Sequence, residues 1–410
     1  MTLLLSACGA AGSPPASASQ PAVQIRAIST NETPTPAASA SPNVTSAPCP
    51  SPTTPAPSPS AASAIKLGLM APFSGLAAAF GQDMLKGGQM ALDEANGAGG
   101  IGGKRVLFDQ ADDRGDAAAP SAAQKLVTDG VAAVIGPASS ASALAAEGVL
   151  NQAKLSTITP SANDPRITDE GLPFIFRAAG RWDQEPPLVA DFLLKQPATA
   201  KIALVADKSE YGQTLVVAMR QALAKANAQP AADETIDSGA KDLGPLVAKL
   251  KAQSPGAVFY AGYAADGGAL AKALRAAGVQ AALAMGDAAQ DQALIASAGA
   301  AAEGLTFAFP PDPKQIPTAA TLLDAYKRRY GTAASLYAIS TYDTVRLVLD
   351  ALRRAGSIDG EAVRQAVAAS DFSSLYWGKM GFDAKGDLRA RTYALWTVRN
   401  GKFELKAVSQ

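Results

Sequence analysis

The chain of 410 residues contains no histidine and only two cysteines, Cys8 and Cys49. Lack of histidine removes the commonest general base, the Ser–His–Asp arrangement and most zinc sites together. Both cysteines fall outside the stretch whose pattern looks folded, so neither a disulfide framework nor a thiol nucleophile is expected in the core. Excess charge is missing too. Lys plus Arg and Asp plus Glu number 36 each, so nothing points to nucleic acid as a partner. No apolar run approaches the roughly 20 residues that span a bilayer. An enzyme built from this chain would have to use Asp, Glu, Lys or Tyr, and no carboxylate pair or nucleophile motif anchors such a reading. No cofactor or metal is expected. Recovery of an unaltered ligand after incubation is the observation that separates binding from turnover.

What is present divides by composition. Residues 1–8 end in Leu5-Ser6-Ala7-Cys8, which resembles the lipobox of bacterial lipoproteins, where cleavage before the Cys leaves it as a lipidated N-terminus. A full signal also carries a basic segment and an apolar run of about 7–15 residues. Here only Leu3, Leu4 and Leu5 precede the motif, without Lys or Arg, so either the coding start lies upstream or the match is chance. The next segment favours the first. Residues 9–64 are dominated by Ser, Pro, Ala and Thr ("SPPASASQPA", "TPTPAASASP", "CPSPTTPAPSPSAAS"), a composition that cannot bury enough apolar surface to offset chain entropy. A disordered tether is expected there, reaching about 40 Å as a coil and about 170 Å when extended. The sequons at Asn31 and Asn43 are too short to carry an argument.

From Ile65 the texture changes. Apolar β-like runs ("IKLGLM", "KRVLFDQ", "VAAVIG", "LSTIT", "FIFRAA", "KIALVAD", "ETID", "GAVFYAGY", "AALAMGD", "GLTFAF") alternate with amphipathic helical stretches such as "APSAAQKLVTDG". That alternation implies right-handed βαβ units and parallel sheet. The strands are too many for one compact sheet, and "RWDQEPP" at 181–187 separates two comparable series. The fold class expected is α/β with two doubly wound, Rossmann-like lobes. Asn400-Gly401 is a strong hairpin signal near the end. Gly97-Ala98-Gly99-Gly100-Ile101-Gly102 fits G-x-G-x-x-G but follows a helical run and precedes a strand, the reverse of a dinucleotide loop. "RGD" at 114–116 reads as a polar loop.

In "VAAVIGPASSASALAAEG", residues 131–148, a strand feeds a helix through a small polar turn. That is where open α/β sheets place ligands, and free amides at the helix start suit an anion. An ordinary serine N-cap explains the same residues.

"IKLGLMAPFSGLAAAFGQDMLKGGQMALDEANGAGGIGGKRVLFDQADD" is similar to the opening of leucine/isoleucine/valine-type substrate-binding proteins of ABC transporters. The resemblance runs on through "GPASSASALA", "STITPSANDP", "FIFRAAGRWDQ", "KIALVADKSEYGQTL", "GAVFYAGYAADGG" and "MGFDAKGDL", over residues 65–405. It implies a type I periplasmic binding protein: two lobes, three crossovers and a ligand cleft between them. The lobes would be 65–182 with 310–390 and 183–309 with 391–410. The hinges would lie near Trp182–Gln184, Phe309–Pro311 and Asp387–Arg391.

Carried over by motif, Ser139 and the amides near it would take a ligand carboxylate. Ser161 and Asn163 would add polar contacts, and Phe80 an aromatic wall in place of a frequent tyrosine. From the second lobe Tyr211 and Tyr263 would cover the ligand, and Asp287 would pair with its ammonium. Read without the resemblance, the tyrosines are core aromatics, Asp287 caps the helix after it and Asn163 is a turn residue.

The resemblance thus implies an extracytoplasmic monomer, attached to the membrane through Cys8, which captures a small amino acid and delivers it to ABC permease subunits. An amide, urea or aromatic acid is an alternative ligand. A ligand-sensing module without transport is the alternative role, and neighbouring permease or kinase genes discriminate the two.

Overall fold

The computed structural model describes residues 64–75, 77–114, 118–390 and 393–408. Cys8, Cys49, the expected tether up to residue 63, most of the "RGD" loop and Arg391 lie outside the described residues.

The first lobe contains five parallel strands: β1 (Ile65–Ala71), β2 (Val106–Asp112), β3 (Val134–Ile135), β4 (Thr157–Thr159) and β5 (Ile175–Arg177). Their order is β2-β1-β3-β4-β5. Between them run α1 (Ala78–Gly97), α2 (Ala119–Thr128), α3 (Ser140–Gln152) and the short α4 (Arg166–Asp169). β1 is buried at nearly every position rather than at alternate ones, because helices cover both faces of the sheet. The strand expected from Val131 is shorter than its apolar run. Ala132 and Ala133 still exchange backbone hydrogen bonds with β1 at 2.8 and 2.9 Å, so the register extends beyond the strand proper.

The second lobe begins with α5 (Glu185–Leu194) and continues β6 (Ile202–Asp207), α6 (Glu210–Lys225), β7 (Ala232–Ile236), α7 (Gly244–Gln253) and β8 (Ala257–Ala261). It proceeds through α8 (Ala264–Ala276), β9 (Ala282–Met285), α9 (Gln292–Ala298) and β10 (Thr306–Phe309). The chain then returns to the first lobe as α10 (Ala320–Tyr330), α11 (Leu336–Ala355), α12 (Gly360–Ala368) and a small hairpin of β11 (Phe372–Ser373) and β12 (Lys379–Met380). It ends on the second sheet as β13 (Ala394–Arg399) and β14 (Lys402–Val408). That sheet has the order β14-β13-β10-β9-β8-β6-β7, with the last two strands of the chain antiparallel. Asn400 and Gly401 turn between them at φ 51° and 68°, the double positive φ of a type I′ hairpin. The "GAGGIG" stretch is the turn from α1 to β2, as its sequence context requires.

Three passages of chain between two sheets make this the two-lobed α/β fold. Its helical return is structural as well as topological. Tyr342, Val345, Val348 and Leu352 of α11 complete one core with Leu67, Leu69, Leu92 and Ile135. α1 lies so close to α11 that a Cβ on Gly87 would sit 1.9 Å from the Ala338 carbonyl oxygen. A backbone oxygen cannot yield as a side chain can. Gly87→Ala is therefore expected to destabilise the protein by about 3 kcal/mol of overpacking, against about 1 kcal/mol gained in helix propensity. Urea midpoints of the two proteins check this.

Candidate functional site

The carboxyl ends of both sheets face a cleft of about 800 Å³, continuous with a small recess of about 70 Å³ that shares Asn163, Asp287, Phe309 and Tyr337 with it. Position at strand ends follows from the fold, since there the βα turns leave backbone groups for a ligand.

On the first lobe the β3–α3 and β4–α4 turns form one wall. Ser139 has extended backbone, φ −102° and ψ 156°, and its Oγ accepts from the Ser142 amide at 3.1 Å. It is the N-cap, and this fixes the start of α3. Ser140, one residue on, lines the cleft, and its Oγ accepts from the amides of Asn163 and Asp164 at 3.3 and 3.2 Å. Ser161 Oγ donates to the Ala138 carbonyl at 2.6 Å, and Thr159 Oγ1 to that of Pro137 at 2.8 Å. These bonds staple the two turns together. The wall presents the start of α3, whose first amides a helix cannot satisfy itself and whose dipole favours negative charge.

On the second lobe the opposite wall carries the acid. β9 ends in Met285-Gly286-Asp287. A Cβ on Gly286 would lie 2.5 Å from the Tyr211 hydroxyl, so only glycine lets that ring tuck beneath the turn. Tyr211 then donates to Asp287 Oδ1 at 2.7 Å. Burial is the largest influence on Asp287 and raises its carboxyl above the ordinary range; the bond from Tyr211 acts the other way. Burial pushes the Tyr211 hydroxyl well up, reinforced by the Glu185 and Asp287 carboxyls. The Tyr211 ring leans against Tyr263, centroids 5.6 Å apart, and Trp182, 6.3 Å apart. Tyr263, 49 % exposed, stands open to the cleft. At the mouth Arg166 pairs with Asp164 at 2.6 Å on its own lobe and with Glu210 at 3.2 Å on the other. Both Arg166 and Glu210 are exposed, so the crossing pair contributes at most about 1 kcal/mol.

Of the residues expected from the sequence, Asn163, Tyr211, Tyr263 and Asp287 line the cleft and Ser161 its recess. Two of the expected residues stand behind the lining. Ser139 does not line the cleft, because its hydroxyl closes the first turn of α3, and Ser140 takes the place. Phe80 is not among the lining residues either. It packs edge-on behind Tyr337, centroids 4.4 Å apart, and Tyr337 of α11 presents the aromatic face. Sequence reasoning missed Tyr337, Ser140 and Phe309 of the lining, and also Glu185, fully buried behind Asp287. The double serine at 139–140 signalled one of them. Tyr337 carries no local signal, since α11 reads as core helix.

An ion network lies at the crossovers. Arg177 of β5 is fully buried, and its Nε and Nη2 donate to Asp387 Oδ1 at 2.9 and 2.7 Å. Arg181 donates to Asp387 Oδ2 at 2.9 Å and to Asp183 Oδ2 at 2.8 Å. The first and third crossovers are thereby held to each other.

An anion-favouring helix start facing a half-buried acid, with aromatic rings between, suits a zwitterion. The sequence matches the family described as "Periplasmic binding protein" over residues 64–402. It is 32% identical over 341 residues to the Leu/Ile/Val-binding protein homolog 3 of Brucella melitensis, covering 83% of this chain and 92% of that one. It is 31% identical over 328 residues to the leucine-, isoleucine-, valine-, threonine-, and alanine-binding protein of Pseudomonas aeruginosa, covering 79% and 87%. Among solved structures it resembles the branched-chain amino acid transporter substrate binding protein LivJ of Streptococcus pneumoniae in complex with isoleucine. There the identity is 28%, the TM-score 0.66, and the coverage 84% of this chain and 99% of that one. A substrate-binding protein of Desulfitobacterium hafniense in complex with Leu gives 25% identity, TM-score 0.70, and coverage of 83% and 99%. With its two sheets, its cleft and these relatives together, the chain belongs to the periplasmic binding protein family.

Proposed function

We propose that this protein is the solute-binding component of an ABC uptake system and captures a branched-chain L-amino acid in the cleft. The observation that carries the reading is the opposition of two unlike anchors: Ser140 and the start of α3 on one lobe, Asp287 with Tyr211 on the other. A free amino acid carries both charges, and burying either without a partner costs several kcal/mol. Its carboxylate would meet Ser140, Asn163 and the α3 amides, its ammonium Asp287, and its aliphatic side chain the rings of Tyr211, Tyr263 and Tyr337. The lobes, 65–182 with 310–390 and 183–309 with 391–410, would close because the ligand touches both only in the closed form. Work outside the cytoplasmic membrane, a lipid on Cys8, a tether over 9–64, a monomeric state and delivery to a permease complete the reading. The relatives named for leucine, isoleucine and valine support the ligand class.

A thermal-shift screen over the twenty amino acids, several amides, urea and aromatic acids tests it. At a hundred times its dissociation constant a ligand specific to the native state stabilises by about 2.7 kcal/mol, and leucine, isoleucine or valine is expected to give the largest rise in Tm. A rise with amides or aromatic acids alone would contradict the ammonium anchor.

A further inference from the structure

Asp287 is backed by a second acid. Glu185, the first residue of α5, is fully buried, and its Oε2 accepts from the Asp287 amide at 2.9 Å. The Asp287 carboxyl and the Tyr393 hydroxyl act electrostatically on the Glu185 carboxyl, whose Oε1 is buried without a hydrogen-bond partner. The groups facing this pair come from three further elements: Tyr211 of α6, Tyr393 before β13 and Tyr337 of α11 across the cleft, while Arg177 of β5 acts on Tyr393. Arg177 is already committed to Asp387. Two neighbouring carboxylates, Glu185 fully buried and Asp287 half-buried, repel when both are ionised, and no cation among the described residues is paired with either of them. One proton between them removes the second charge. Burial, with the neighbouring Asp287 charge next in weight, pushes Glu185 well up in the same direction.

We propose that in the empty cleft Glu185 and Asp287 hold a single proton between them and that an arriving ammonium displaces it, so that ligand capture releases a proton. The inference rests on Asp287 as the ammonium partner. On binding, the O–H bond of Glu185 breaks, the electron pair stays on the carboxylate oxygen and the proton passes to a buffer base. Glu185 acts through Asp287 and is a positioning residue. The sign follows from linkage. The ligand's positive charge lowers the affinity of the pair for its proton, so the bound form holds fewer protons and affinity rises with pH.

Calorimetry of L-leucine binding to the whole protein, at about pH 7.5 in phosphate and in Tris, is the test. These buffers differ in ionisation heat. The wild type is expected to release protons on binding, seen as a buffer-dependent heat, and to gain affinity as pH rises, by up to about tenfold per pH unit. Glu185→Gln is expected to show neither. An acid with a merely structural role would change affinity equally at every pH. Infrared spectra of the empty wild type give a readout without ligand: a protonated-carboxyl band that L-leucine abolishes and that Glu185→Gln lacks. Binding with buffer-independent heat, or proton release that persists in Glu185→Gln, overturns the proton displacement alone. No binding of any amino acid overturns it together with the reading of Asp287.

Discussion

Asp287→Asn is expected to weaken L-leucine binding by about 100-fold while leaving the empty protein as stable as the wild type or more so. The amide keeps the size and the hydrogen bond from Tyr211 but loses the negative charge. Truncating one partner of a desolvated, hydrogen-bonded charge pair costs about 2–5 kcal/mol, and 100-fold corresponds to about 2.7 kcal/mol. Stability should move the other way because the empty site pays for its acid. Asp287 is raised by burial, so the folded form holds a proton on it more readily than the unfolded chain does. A carboxyl raised in the fold costs stability as pH climbs above its ordinary value, and at neutral pH the neutral amide removes that cost. Calorimetry for affinity and a melting curve for the empty protein give the two halves. A loss of binding accompanied by a lower Tm would point to collapse of the turn rather than to a lost ammonium partner. Ligand sites commonly trade stability for function in this way.

The second large effect lies at the crossovers. Arg177→Met is expected to cost about 3–5 kcal/mol, because it leaves Asp387, itself only 5 % exposed, without its closest cation. For a protein of this size that is a fall in Tm of roughly 5–15 °C. Asp387→Leu should cost as much or more, since Arg177 is fully buried and would keep an unmatched charge beside the Thr168 hydroxyl. Arg177→Met with Asp387→Leu should recover a large part of the loss, as apolar replacements of a whole buried pair often do. Equal losses that simply add in the double variant would mean that each residue acts through contacts other than this pair. The network also includes Arg181 and Asp183 at the first crossover.

Much of this was legible in the sequence, for physical reasons that also explain where it stopped. Parallel strands covered on both faces leave uninterrupted apolar runs, and Gly or Pro marks their ends, so "KIALVAD" and "GAVFYAGY" identify β6 and β8 directly. Asn400-Gly401 names its own turn type. The site is less legible because its last details are matters of one rotation or of distant chain. Whether Ser139 or Ser140 faces the cleft is decided by which of them takes the extended N-cap backbone. Phe80 and Tyr337 are edge-to-face neighbours on α1 and α11, and the sequence does not say which stands in front. Glu185 looks like part of a polar connector before Pro186 and Pro187. Its burial arises only because α5 packs on β10 and the chain returns at Tyr393 to close over it.

The most direct measurement is a crystal structure of the protein with L-leucine. The carboxylate is expected against Ser140 and the first amides of α3, and the ammonium against Asp287, with the side chain between the tyrosine rings. A ligand bound in the opposite sense, held by one lobe alone, or seated away from Asp287 would contradict this.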